Sequence, residues 1–279
     1  MNKIERLKER QLNILKDVIE VCRKLDVPYF AIGGTAIGAV RHRGYIPWDD
    51  DIDIAMLKED YERFIVEAPK HLPKHLFLQT LDTEVSYLQC FAKVRDSRTT
   101  YLEEAVSHLK MNHGIYIDIF PYYYVPCNKI ARYWHYFLQR FYYLRITCDI
   151  NPNSVYIAKA HPIRKYCKLI IRFILLRLLP DAIGNRKRLD RLFKKVQKTD
   201  RVILADCTCG VHGFPRKWFE ETIELPFENI VINVPKSFDD FLRARFGDYM
   251  QLPPEAQRMA HHYADVIDPD RPYTEYTRN

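Results

Sequence analysis

The sequence has no uninterrupted run of about 18 apolar residues, so no helix is expected to cross a membrane. Its first stretch, MNKIERLKERQL, has no apolar signal core, and a cytoplasmic protein is expected. The seven cysteines are scattered and odd in number, which fits reduced thiols better than a disulfide framework. Cys207-Thr208-Cys209, with His212 nearby, hints at zinc, but the loop between the cysteines has the wrong length for the usual finger. Internal repeats and low-complexity linkers are also missing. What is present is a chain of 279 residues, 47% hydrophobic, able to bury a full core as one domain or two. A formal net charge of +7 is too modest for a histone-like protein and suits an anionic substrate or surface.

The most informative stretch is Gly33 to Met56, GGTAIGAVRHRGYIPWDDDIDIAM. Two adjacent glycines follow the short apolar run Tyr29 to Ile32, as at the end of a strand. No Gly-Lys-Ser/Thr follows them, which excludes a P-loop. Thr35 to Arg41 can form a short helix whose free N–H groups, with the Thr35 hydroxyl, would receive a phosphate; an ordinary tight turn is the plainer reading. Asp49, Asp50, Asp51 and Asp53 then crowd the entrance to a second apolar run. Alternation places Asp51, Asp53 and Ala55 on one face and Ile52, Ile54 and Met56 on the other, with the two carboxylates about 7 Å apart along the chain. Such acids repel one another unless a cation intervenes, and a hard divalent ion, Mg²⁺ above all, suits oxygen ligands. A solvated acidic loop is the bland alternative, disfavoured by Trp48 and by the strict alternation. An EF-hand would need Gly and Glu where Ile54 and Asp60 stand.

Around this stretch, residues 3 to 25 read as an amphipathic helix with Ile4, Leu7, Ile14, Val18, Cys22 and Leu25 inward. Lys58 to Ala68 reads as a helix. Leu76 to Thr80, Leu88 to Val94 and Thr99 to Leu102 read as strands. Lys93 and Arg95 would share a strand face, either solvated or set against a phosphate. In Ile115 to Phe120, isoleucines alternate with Tyr116 and Asp118. A lone carboxylate there needs a cationic partner, and a third ligand for the ion of Asp51 and Asp53 is the economical proposal.

Taken together, Gly33-Gly34, the run Arg41-His42-Arg43-Gly44-Tyr45-Ile46-Pro47-Trp48-Asp49-Asp50-Asp51-Ile52-Asp53, Lys93-x-Arg95-Asp96 and Ile117-Asp118-Ile119-Phe120-Pro121 resemble the LicD family. Phe246 to Pro254 resembles the close of such proteins, so the likeness runs from about residue 29 to 262, weakest over 126 to 215. The family comprises phosphotransferases related to fukutin. The resemblance implies an α+β fold: a nucleotidyltransferase-like mixed sheet flanked by helices, followed by a mainly helical C-terminal half. It places the metal and catalytic carboxylates on Asp51, Asp53 and Asp118, with Asp49 as an additional acid. Donor-binding groups fall on Gly33, Gly34, Thr35, Arg41, Lys93 and Arg95. It implies a Mg²⁺ cofactor, with Mn²⁺ as a substitute. The reaction implied is transfer of phosphocholine from CDP-choline, or of a similar phospho-alcohol, to a sugar of a cell-surface glycan or teichoic acid precursor made on a lipid. CDP-ribitol and CDP-glycerol are neighbouring donors, and a nucleotidyltransferase releasing pyrophosphate is the alternative reaction.

The composition changes near residue 126, from alternating acid and aliphatic runs to long aromatic-basic stretches, which divides a catalytic core at 1–125 from a region at 126–279. Arg132 to Arg145 is crowded with aromatics. In Ile163 to Leu179, the bases Arg164, Lys168 and Arg172 recur every four residues. Packed core helices with snorkelling bases are one reading, and peripheral contact of residues 163–179 with anionic lipid is the other. Aromatics among bases could also suit single-stranded nucleic acid, but no RNA-binding signature accompanies them and no nucleic-acid partner is expected. Farther on, 186–200 reads as a charged helix, 222–234 as two strands broken by Pro226, and Asp239 to Phe246 as a helix ended by Gly247.

Overall fold

A computed structural model describes residues 3–150, 173, 177, 181–205, 210–259 and 264–277. Helix α1 (Lys3–Leu25) buries Leu7, Ile14, Val18 and Cys22 as its spacing predicts, whereas Ile4 in its first turn is half exposed. Asp26 turns the chain in a left-handed conformation into β1 (Phe30–Ala31). Helix α2 (Gly33–Arg41) begins two residues earlier than its pattern suggests, so the glycine pair is its first turn. Strand β2 (Asp53–Leu57) leads directly into α3 (Lys58–Glu67), and Pro69 closes that helix in a short 3₁₀ turn.

Next come β3 (Leu76–Gln79), β4 (Ala92–Asp96), β5 (Thr100–Glu103) and β6 (Ile115–Tyr124). Strand β4 is displaced from the expected 88–94, because its hydrogen-bond partners on β3 run from Leu76↔Asp96 to Gln79↔Lys93. The sheet order is β1-β2-β6-β4-β3, with β2 parallel to β6 and the other pairs antiparallel. All ten residues of β6 are buried, so the alternation of its sequence does not mark a wet face: the sheet is covered on both sides.

Beyond residue 125 lie α4 (Lys129–Ile150), α5 (Ala182–Lys194), β7 (Arg201–Leu204), β8 (Phe214–Pro215), β9 (Thr222–Phe227), β10 (Ile230–Pro235), α6 (Phe238–Phe246) and β11 (Ala264–Asp268). Strand β7 joins β6 through Tyr122 to Tyr124 where β4 has ended, and β11 pairs with β5. The two halves of the sequence thus share one sheet and one continuous core. Helix α5 starts earlier than residue 186 because Asp181 caps it, accepting from the Gly184 N–H. It ends before 200, where the Thr199 hydroxyl donates to Val125 O and the chain turns into β7. Pro226 does not break its strand; it pairs with Val231 in a two-stranded hairpin, where both strands are edges, and the turn falls at Glu228, with φ +54°. Gly247, at φ +69°, ends α6 as its sequence predicts. Cys207 and Cys209 lie outside the described residues, as does most of 163–179.

Candidate active site

The site is built on one row across the sheet. In register, Asp53 of β2 stands opposite Asp118 of β6, and Asp118 stands opposite Lys93 of β4. Residues level with one another on adjacent strands project to the same face, so the two acids and the lysine form a line. Lys93 Nζ lies 2.9 Å from Asp118 Oδ1, 3.9 Å from Glu103 Oε1, and 3.2 Å from the centroid of the Tyr116 ring. The solvated-face reading of Lys93 and Arg95 is thereby excluded, since both side chains are buried. Arg95 sits deeper. It donates to Gln79 Oε1, to Gly114 O at 2.8 Å and to Glu103 Oε2 at 3.1 Å. Its guanidinium braces Glu103, which in turn faces Lys93.

The first turn of α2 closes over this row. The Asp53 N–H donates to Thr35 Oγ1 at 2.8 Å, and the Ile32 N–H donates to Asp53 O at 3.1 Å, which pins the start of β2 to the start of the helix. A side chain at Gly34 would put its Cβ 2.1 Å from Asp49 Oδ2. At Gly33, where φ is +56°, it would come within 3.0 Å of Asp53 Oδ2. The glycine pair is therefore the space in which two carboxylates approach the positive end of a helix. Arg41, at the other end of α2, points elsewhere and donates to Tyr249 O and Gln251 O.

Ahead of β2, one carboxylate oxygen from each of Asp49, Asp50 and Asp51 lies within 4.8 Å of the others. Asp50 accepts from the Tyr101 hydroxyl at 3.2 Å, and its backbone carbonyl accepts from Gln11 Nε2 at 2.8 Å. Lys8 of α1 donates to Pro47 O at 3.1 Å; burial lowers its pKa, and Asp49, Glu228 and Asp50 oppose that fall. The acids carry the mark of crowding. Burial, then the Asp51 and Asp50 charges and a hydrogen bond with Asp51, push Asp49 up to about 7. Asp53 is raised well above the usual carboxylate range by burial, then by Asp51, Asp118 and Asp49, against the opposing pull of Lys93. Burial raises Asp118 too, with Lys93 opposing.

Of the residues expected from sequence, Gly33, Gly34, Thr35, Asp49, Asp51, Asp53, Asp118 and Lys93 come together. Arg95 stands behind them and Arg41 apart. Sequence reasoning missed Lys8, Gln11, Tyr101 and Glu103, which support the acids from α1 and β5. Gln11 alone left a signal, as a polar residue on the apolar stripe of α1. Buried carboxylates raised by burial and by one another's charge, and offering only oxygen donors, fit a hard divalent cation.

Comparison with known proteins agrees with this geometry. Residues 26–152, which contain the whole row and the acidic turn, match the LicD/FKTN/FKRP nucleotidyltransferase domain. Over 267 residues, 93% of this chain and 97% of its relative, the sequence is 28% identical to lipopolysaccharide cholinephosphotransferase LicD of Haemophilus influenzae. A shorter stretch of 106 residues, 38% of this chain and 36% of the relative, is 33% identical to an uncharacterized protein of Rickettsia prowazekii. With the domain match centred on the acid row and the full-length likeness extending beyond it, residues 26–152 are similar to a LicD-type nucleotidyltransferase domain, and nearly the whole chain is similar to a LicD cholinephosphotransferase.

Proposed function

We propose that this protein is a Mg²⁺-dependent transferase that moves phosphocholine, or a similar phospho-alcohol, from a CDP-alcohol to a sugar hydroxyl of a cell-surface glycan precursor. The observation that carries the reading is the Asp53–Asp118–Lys93 row facing the glycine turn of α2. The likeness to a lipopolysaccharide cholinephosphotransferase supports the choice of phosphocholine and of a lipopolysaccharide-type acceptor. Asp51, Asp53 and Asp118, with Asp49 beside them, would hold the Mg²⁺, or Mn²⁺ in its place. Bound there, the ion would spread the negative charge of the diphosphate and of the departing CMP.

The chain's own groups supply the rest. Gly33 and Gly34 let phosphate oxygens approach the N–H groups that open α2, where the helix dipole favours negative charge. Thr35 fixes Asp53 through its backbone N–H. The sugar oxygen bonds to the phosphorus as the bond to the CMP oxygen breaks, in line with it. The hydroxyl proton passes to a carboxylate, which we assign to Asp118. Lys93 supports that role by keeping Asp118 ionised and oriented, and Glu103 and Arg95 hold Lys93 in place.

The test is to incubate purified protein and a membrane-borne glycan acceptor with a panel of CDP-alcohols and to measure CMP. Release should be fastest with CDP-choline, need Mg²⁺, and fall by about 10²–10³-fold or more in Asp53→Asn. Preference for CDP-ribitol or CDP-glycerol would reassign the alcohol. Pyrophosphate release from a nucleoside triphosphate, without CMP from any CDP-alcohol, would refute the reaction.

A further inference from the structure

Helix α4 carries an apolar face that nothing described covers. Ile130, Trp134, Phe137, Phe141 and Leu144 follow a four-three spacing that puts them on one stripe. Trp134 is 61% exposed and Phe137 is 54% exposed, and their rings stack on each other at 5.4 Å; Phe137 continues to Phe141 at 6.1 Å. The opposite side of the helix is the one that packs inward: His135, Gln139 and Ile146 are buried, with His135 edge-on to Phe193 of α5. A row of large stacked rings in water marks a surface that binds something.

Charge identifies what it binds. Over Lys129–Ile150, α4 contains a single acid, Asp149, in its last turn. Its neighbour α5 shows Lys187, Arg191 and Lys194 on one exposed stripe, while Asp190 is taken up by Arg186. Farther along, Phe173 is also exposed, with Arg177 over its ring at 5.1 Å. Tryptophan and phenylalanine beside bases, on helices that carry one acid each, are the chemistry of the lipid headgroup boundary. Among the described residues, no helix is long and apolar enough to cross a membrane, so attachment through this face would lie in the plane of the surface.

We propose that α4 and α5 form a docking face for an anionic lipid bilayer, with the aromatic stripe of α4 entering the headgroup layer and the bases of α5 binding acidic headgroups. The inference goes beyond the catalytic reading and is independent of it, since it rests on side chains outside the acid row.

The experiment is flotation of the full chain with vesicles of phosphatidylcholine alone or mixed with phosphatidylglycerol. Binding is expected only with phosphatidylglycerol and should weaken as salt rises. W134E/F137E should lower partitioning at least about ten-fold. K187E/R191E/K194E should lower it by about five-fold or more per charge, near the contribution of one base at an acidic surface. If W134E/F137E does not fold, W134S/F137S, which adds no charge, carries the same comparison. Failure to float with any vesicle, or flotation unchanged in these variants, would overturn the proposal. So would a dimer in sedimentation that W134E/F137E splits, because a second copy would then cover the face. CMP release with a detergent-dispersed acceptor should survive in W134E/F137E, which separates this outcome from any failure of the catalytic reading.

Discussion

Strand β6 and helix α4 are both aromatic-rich, and they sit in opposite environments. β6 carries Tyr116, Phe120, Tyr122, Tyr123 and Tyr124, all buried, while α4 leaves Tyr133, Trp134 and Phe137 largely in water. The difference comes from neighbours rather than from composition. β6 has strands on both edges and helices or loops on both faces, so every side chain it offers is enclosed. Among the described residues, α4 rests on α5 and the sheet by one side. Charges follow the same division. The buried ones around β6 are set among opposite charges, Lys93 by Asp118 and Arg95 by Glu103, whereas Lys187 and Arg191 on α5 face solvent. A crowd of aromatics therefore marks something large to bury, and topology decides whether the protein or a partner does the burying.

The contrast can be tested step by step, beginning with the largest effect. Tyr122→Ala, at the junction of β2, β6 and β7, should cost about 3–5 kcal/mol in urea unfolding, whereas Phe137→Ala should stay within about 0.5 kcal/mol. Equal costs would erase the distinction between the two segments. On the rate side, Asp53→Asn should slow CMP release by about 10²–10³-fold or more with little loss of fold, while W134E/F137E leaves turnover on a dispersed acceptor near wild type. Gly34→Ala should act more mildly. Its Cβ would force the Asp49 carboxylate aside, and Mg²⁺ affinity by calorimetry should fall about 10-fold or more. The smallest effect is in pH. Asp49 holds its proton up to about 7 in the folded chain, above the ordinary carboxylate value of 3.8, so the metal-free protein binds more protons folded than unfolded in between. Its stability should fall as pH rises from about 4 to about 7, and Mg²⁺ should flatten that fall. A metal-free melting temperature that climbs over this range would contradict the crowded-acid account.

Much of this was legible in the residues. Helix α1, the acid-aliphatic strand, β3, β5 and the glycine that ends α6 all follow from local periodicity and capping, which act within a few residues. The sequence pattern puts the glycine pair before the helix, because a helix that opens on two glycines runs against propensity; their contact with Asp49 and Asp53 is what selects them. The pairing of Asp53 with Asp118 rests on a parallel register between strands far apart in sequence, and no local pattern encodes it. The same applies to Glu103, whose task is defined only by the lysine and arginine that fold against it. Burial of Lys93 was equally hidden, since the exposed and enclosed forms of a Lys-Val-Arg strand read alike until the flanking strands are known.

One pairing has a reach its position would not suggest. β5 supplies Tyr101 and Glu103 to the acid site, and β5 is held by β11, with Thr100 donating to Arg271 O and the Tyr273 N–H to Thr99 O. The last described segment thus works as a clasp on the chemistry, though it contributes no reacting group. Trimming the chain before residue 264 would leave every acid of the site in place yet loosen the strand that steadies them. A truncated form could then look intact by its motifs and still be inert.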